Sequence, residues 1–270
     1  MSPIELADEP IATEPAFPCD WPEKDGVRIL PRGEDLPTED GEPLETTWHR
    51  DAMNMLIENI KWWWRERYNY FVGGNMFVYF SEKRVFNKDF RGPDVFVALD
   101  VEFEPQRKSW VTWEEGDTYP DLIVELTSPS TKDIDLIVKK ELYAKTFCTR
   151  EYFIVDPDVT QIQGWRLVKG VYKPIVPVDG RFASEVLGAT IGWWNGSYNT
   201  PGFSAPHPRL FDTKGNLIPI FSEAERQVAE AERQKAEVEH LRADSEKARA
   251  DAAEAELARL RAELAAIRPS

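Results

Sequence analysis

The chain has 270 residues, 42% hydrophobic and 12% aromatic with ten Trp, enough for a packed core and too apolar for a wholly disordered chain. Two cysteines, Cys19 and Cys148, and three histidines without HExxH or HxxxH spacing exclude a disulfide scaffold and a His-rich metal centre, and no apolar run reaches the ~20 residues of a membrane span. The net charge of −15 argues against a nucleic-acid partner only at first sight: residues 1–46 carry 13 acidic and 3 basic residues and 222–270 carry 12 and 9, so 47–221, with 23 and 21, is close to neutral.

The opening MSPIELADEP lacks the basic and apolar regions of a signal peptide, and with so few cysteines the expected compartment is the reducing cytoplasm. Residues 1–46, rich in Pro, Glu and Asp, read as an acidic N-terminal extension, either solvated or packed on the core through Trp21, Val27, Ile29 and Leu30. A helix is expected from Thr46–Thr47 to about Glu66, with Thr47 as N-cap and Met53, Leu56, Ile57, Ile60, Trp63 and Trp64 on one apolar face. Trp62 points elsewhere, on the flank of Met55 and Asn59. Strand-like runs follow at 71–80, 93–103 and 121–127, the last apolar at nearly every position, as in strands buried on both faces. A second helix is expected over 131–147, with Ser130 or Thr131 as N-cap and Asp133 and Asp135 in its first turn. Next come a strand at 151–157, a hairpin over 162–176 turning at Lys169-Gly170, and another over 211–218 turning at Lys214-Gly215-Asn216. From Ser222 to Ile267 Ala, Glu and Arg dominate without Gly or Pro, which predicts one long helix. Leu257, Leu260, Leu264 and Ile267 keep a heptad spacing, while Val238 and Leu241 fall in another register. A coiled-coil partner and a single solvated helix held by i,i+4 charge pairs both remain open. The order predicts a mixed α/β domain over 47–221, between the extension 1–46 and the helix 222–270.

Four features cluster between 93 and 143. Pro93-Asp94 opens a strand. Glu125 lies within DLIVELT, on the face of Asp121, Ile123 and Thr127, where a carboxylate needs a cation, a hydrogen-bond network or a metal to be buried. Ser128-Pro129-Ser130-Thr131 turns the strand into the helix KDIDLIVKKELYAK, which places Lys139 and Tyr143 four apart on one face. Two carboxylates and a lysine are the parts of a Mg²⁺ phosphodiesterase. The carboxylates supply hard oxygens for the metal, the metal polarises the phosphate and activates water, and the lysine orients that water or offsets charge on the phosphate. The same residues also fit a buried ion pair of Glu125 with Lys139 or Lys140 and no catalysis.

The succession GPDVFVALD, PDLIVELTSPST, D-x-D-L-x-x-K-x-x-x-Y and EYFIVDP resembles the bacterial "putative restriction endonuclease" family, a branch of the PD-(D/E)XK nuclease superfamily, over about 38–220. The resemblance implies an α+β, restriction-endonuclease-like core, a mixed β-sheet flanked by helices, here followed by the long C-terminal α-helix. It implies DNA as substrate and Mg²⁺ (or Mn²⁺) as cofactor, with Asp94 and Glu125 as catalytic metal ligands. The lysine usual two positions after the acidic residue is Thr127 here. In this family the lysine comes from the following helix instead, at the position of Lys139, with Lys140 as the alternative. Asp121 and His49 are second candidates: Asp121 shares the face of Glu125 but lies roughly 13 Å along the strand, and His49 could line the same cleft from the first helix.

The leading reading is a cytoplasmic, Mg²⁺-dependent DNA endonuclease. One rival is a catalytically inactive nuclease-fold protein that binds or regulates. Another makes the C-terminal helix the working part, as an oligomerisation or docking element. A homodimer contact is expected at Trp62 and Met55, an apolar flank that either a second subunit or the N-terminal arm would cover. Truncation at Ser222 is expected to leave the thermal melting transition of the core within a few degrees, whereas loss of the transition would place the helix in the core.

Overall fold

Runs such as VFVAL and LIVEL carry apolar side chains on both faces of a strand, so a sheet built from them has to be covered twice. The computed structural model, which describes residues 23–24, 27–28, 46–81, 90–102, 107–128, 131–198 and 204–267 (side chains of 23–24, 27–28 and 264–267 excepted), shows how. Cys19, Trp21, Ile29, Leu30 and Ser130 lie outside the described residues.

The described strands are β1 (Glu23–Lys24), β2 (Val27–Arg28), β3 (Tyr70–Gly73), β4 (Val78–Tyr79), β5 (Phe90–Arg91), β6 (Val95–Leu99), β7 (Trp110–Val111) and β8 (Leu122–Leu126). After them come β9 (Glu151–Asp156), β10 (Gln161–Val168), β11 (Val171–Pro174), β12 (Phe182–Ser184), β13 (Ala189–Gly196) and β14 (Ala205–Phe211). A six-stranded sheet runs in the order β11-β10-β9-β8-β6-β3, antiparallel except for the parallel pair β8–β9. This is the expected mixed sheet. Its two faces sort by alternation. Val95, Val97, Leu122, Val124 and Leu126 pack towards helix α1 (Thr47–Trp63) and the β12-β13-β14 sheet, together with Leu56, Ile60, Ile191 and Leu210. Phe96, Ala98, Ile123 and Ile154 pack on the other side with Val78, Trp110, Tyr143 and Phe147.

Several expectations are corrected. The first helix is capped by Thr46, whose extended backbone lets Oγ1 accept from His49 N at 3.2 Å, and it ends at Trp63 rather than Glu66. Its buried face is Ala52, Met55, Leu56, Asn59 and Ile60, rotated towards Asn59 relative to the aliphatic stripe. Met55 is fully buried, and Trp62 is half-buried against the α1-side core with the Arg65 guanidinium 5.0 Å from its ring centroid. The bare Met–Trp flank that motivated a dimer is absent. The run 71–80 is split: β3 joins the large sheet, while β4 pairs with β5 and β7 in a separate three-stranded sheet. Gly74 marks the break, because a Cβ there would lie 2.1 Å from the Asp94 carbonyl oxygen. The second helix is a π-helical segment, Ile134–Lys139, continuing into α2 (Lys140–Lys145). The hairpin turning at Lys169-Gly170 joins β10 to β11, both turn residues having positive φ. The turn after Phe211 closes on a single Phe211–Leu217 bridge, held by Asp212 Oδ1 accepting from Lys214 N and Asn216 N.

The chain divides into two compact units, Met1–Ile218 and Pro219–Ser270. The second contains the long helix α3 (Phe221–Ile267), on which Val238, Leu241, Leu257 and Leu260 are exposed. No helix among the described residues is long and apolar enough to cross a membrane.

Asn59 explains why the buried face of α1 is rotated. Its Oδ1 accepts from Arg209 Nε at 2.9 Å and Leu210 N at 3.1 Å, and its Nδ2 donates to Ile218 O at 2.8 Å. It therefore ties the helix to β14 through groups with no access to water. Asn59→Ala should destabilise the fold by about 2–3 kcal/mol through the buried donors it leaves unpaired. The urea unfolding midpoint measures this, and an unchanged midpoint would contradict it.

Candidate active site

The antiparallel register of β6 and β8 pairs Val95 with Val124. Asp94 immediately precedes β6 and Glu125 immediately follows Val124 on β8, which brings both to the same end of the strand pair. Asp94 closes the end of the pair: its Oδ2 accepts from Leu126 N at 2.7 Å, and its Oδ1 lies 2.9 Å from His49 Nε2, at the start of α1. The backbone at Asp94 is fixed from outside the sheet as well, because Asn75 N donates to the carbonyls of Pro93 and Asp94 at 3.1 and 3.2 Å.

Glu125 is 1% exposed. Its Oε1 accepts from the Tyr143 hydroxyl at 2.8 Å, and its Oε2 lies 3.1 Å from Lys139 Nζ. The same ammonium is 2.9 Å from Asp135 Oδ1, a second carboxylate that is 2% exposed. Tyr152 donates to the Asp135 carbonyl at 2.9 Å. Asp135, Lys139 and Tyr143 are spaced four apart on the π/α2 helix, so one helix face delivers all three. The π-helical segment is the kind of local widening that recurs at functional sites. Asp94 and Lys139 each keep about a fifth of their side-chain surface open, 20% and 21%, so solvent reaches the cluster on their side.

Burial pushes the Glu125 carboxyl up to about 8; the Lys139 ammonium opposes this, and the charges of Asp94 and Asp135 add to it. For Lys139, burial alone would lower the amine, but the carboxylates of Glu125 and Asp135 outweigh it and hold the amine above its ordinary range. Burial, with the Glu125 charge beside it, drives the Tyr143 phenol far up, so it stays a hydrogen-bond donor.

Asp94, Glu125, Lys139 and His49 therefore come together. Asp121 does not join them: its Oδ2 accepts from Leu99 N at 2.7 Å and its Oδ1 is 3.0 Å from Arg150 Nε, a tie at the other end of the strand. Lys140 points away from the carboxylates, with its Nζ 3.6 Å from the Trp165 ring centroid. Thr127, at the usual lysine position, is buried, and its hydroxyl lies 3.3 Å from Thr131 Oγ1. Asp135 is the residue that sequence reasoning left out of the site. It was visible as a first-turn acid and as the second Asp of D-x-D-L-x-x-K-x-x-x-Y, and its spacing of four from Lys139 and eight from Tyr143 marks the same helix face.

Among the described residues no group of three or more His, Cys, Asp or Glu side chains is arranged to enclose a metal ion. Mg²⁺ does not need one, since it is commonly bound through one or two carboxylates and completes its shell with water and substrate oxygens. The hard oxygens of Asp94 and Glu125 fit that requirement. Asp94, Glu125 and Asp135 together outnumber the single ammonium of Lys139, so the ionised cluster carries an excess of negative charge for a cation to offset.

Because the folded chain holds the Glu125 proton to about 8 while the unfolded chain releases it near 4.5, ionising Glu125 works against folding, and stability contributed by the protonated form is lost as pH rises between those values. In chelator, the melting temperature of the wild-type protein should fall more between pH 5 and pH 8 than that of Glu125→Gln. Equal slopes would show that Lys139 keeps Glu125 ionised throughout.

Three comparisons bear on the site. No curated protein matches the chain. Among solved structures, a putative nuclease of the DUF820 family from Anabaena variabilis is similar, at 13% identity over 54% of this chain and 76% of that chain, with a TM-score of 0.41. The model of the family described as "Putative restriction endonuclease" matches residues 29–197. That match takes in more than half of the chain, with Asp94, Glu125 and Lys139 inside it, and the protein belongs to this family.

Proposed function

We propose that the chain is a Mg²⁺-dependent endonuclease, able to use Mn²⁺ in its place, that hydrolyses phosphodiester bonds in DNA. Membership of the family supports a nuclease-like activity. The observation that carries the finer reading is the convergence of Asp94 and Glu125, from neighbouring strands, with Lys139 from a separate helix. A purely structural ion pair needs one carboxylate and one ammonium, whereas this cluster has three carboxylates and opens to solvent at Asp94 and Lys139.

Asp94 and Glu125 would hold the metal. When bound, it supplies Lewis-acid charge at the scissile phosphate. Lys139 stands where its ammonium can orient an attacking water or offset the charge that grows on the phosphate oxygens. Lys139 keeps about a fifth of its side-chain surface open beside the two carboxylates, 21%, which leaves room for an incoming oxygen. Tyr143 fixes the Glu125 carboxylate through Oε1, and His49 with Leu126 N fixes Asp94 through its two oxygens. The near-neutral charge of 47–221 leaves no general repulsion between this domain and a polyanion.

Supercoiled plasmid incubated with the protein should be nicked or linearised in Mg²⁺ or Mn²⁺ and left intact in chelator. Asp94→Asn, Glu125→Gln and Lys139→Ala should each reduce the rate by at least ~100-fold with the fold retained by circular dichroism. Wild-type protein that binds DNA without cutting it under any divalent metal would instead make the chain a nuclease-fold binding protein.

A further inference from the structure

We infer that Asp135 is a positioning residue for Lys139: it holds the ammonium against Glu125, on the side of the cluster that opens to solvent, where a reacting phosphate would meet it. This deepens the nuclease reading and rests on it.

The argument begins with the reach of a lysine. Four methylenes give Lys139 many rotamers, and ordering such a chain costs up to about 2 kcal/mol of entropy. Glu125 alone, at 3.1 Å, restrains the ammonium from one side only. Asp135, at 2.9 Å, approaches it from the lysine's own helix, four residues earlier, so the ammonium is clamped between a strand and a helix. The clamp is built. The Asp135 side chain is 2% exposed, and its own backbone is pinned by Tyr152 donating to its carbonyl at 2.9 Å and by Asp135 N donating to Thr131 O at 3.0 Å.

Burying Asp135 is hard to explain as fold stabilisation. Lys139 already has a buried carboxylate in Glu125, and a second one adds desolvation cost and repulsion between the two acids. A charge kept at such a cost has an effect on the ammonium that neither acid gives alone: it fixes the position in two directions. The rest of that helix surface points to the same division of labour. Ile134, Ile137 and Val138 stay exposed while Asp135 and Lys139 turn inward, so the polar pair is placed inside in preference to three aliphatic neighbours.

The test uses full-length Asp135→Asn, which keeps the shape and removes the charge, and Asp135→Ser as a second variant should the first fail to fold. Two readouts are taken. The first is competitive acylation of lysines at pH 8.5, mapped by peptide mass spectrometry, with Lys140 as internal reference. Loss of the clamp should raise labelling of Lys139 relative to Lys140 several-fold, because the released amine swings out from between the buried carboxylates and reaches the reagent. The second is plasmid cleavage, where kcat should fall about 10- to 100-fold while KM stays within about two-fold. Unchanged Lys139 labelling in a folded variant overturns the proposal, whatever happens to cleavage. Raised labelling with kcat unchanged overturns it too, because the clamp would then have no bearing on the reaction. Raised labelling in a protein whose wild type cuts no DNA removes the nuclease reading and with it the catalytic role assigned to the clamp.

Discussion

The constraint on which this domain depends is the burial of one carboxylate. Glu125 sits in a strand whose five residues are all buried, between two hydrophobic layers. An ion there is tolerated only if its surroundings are arranged to meet it, and the arrangement draws on three elements: Asp94 beside β6, Tyr143 and Lys139 on the π/α2 helix, and His49 at the start of α1 through Asp94. Each of these elements also contributes apolar groups to one of the two layers. Packing and chemistry are therefore not separable here: the helices that cover the sheet are the ones that bring the partners of Glu125.

The lysine arrives from a helix rather than from position 127 of the strand, and this has a geometric reason. A residue two positions after Glu125 on the same strand shares its face, and in this chain Thr127 spends that position on the strand-to-helix turn, its hydroxyl near Thr131 while Ser128 N donates to Thr131 Oγ1 at 3.0 Å. Lys139 and Tyr143 reach the Glu125 carboxylate from the π/α2 helix instead. The strand supplies the acid and the returning helix supplies the base partner.

Much of this was legible in the residues. The apolar runs at 93–103 and 121–127 announced strands covered on both faces, and a carboxylate within such a run announced a partner. Lys139 was singled out through the family resemblance, with Lys140 as the alternative; the spacing to Tyr143 alone placed it only on that helix face. What was not legible depended on long-range pairing. That Asn59 belongs to the buried face of α1 follows from Arg209 and Leu210, some 150 residues away. The break in 71–80 follows from where Asp94 lies, and the burial of Asp135 follows from a π-helical segment that no propensity scale encodes. Trp62 and Met55 misled because a helical wheel shows the flank of a helix and not the neighbour that covers it.

Gly74 has a consequence for how such a site can change. It touches the Asp94 carbonyl so closely that even a methyl group would collide with backbone. The backbone at Asp94 is thus set partly by main chain lying on main chain, beside the ties its carboxyl makes to His49 and Leu126 N. Any side chain at position 74 would have to push that backbone aside, so the residue at 74 is held to glycine by its nearness to Asp94 and not by a turn that needs glycine's freedom.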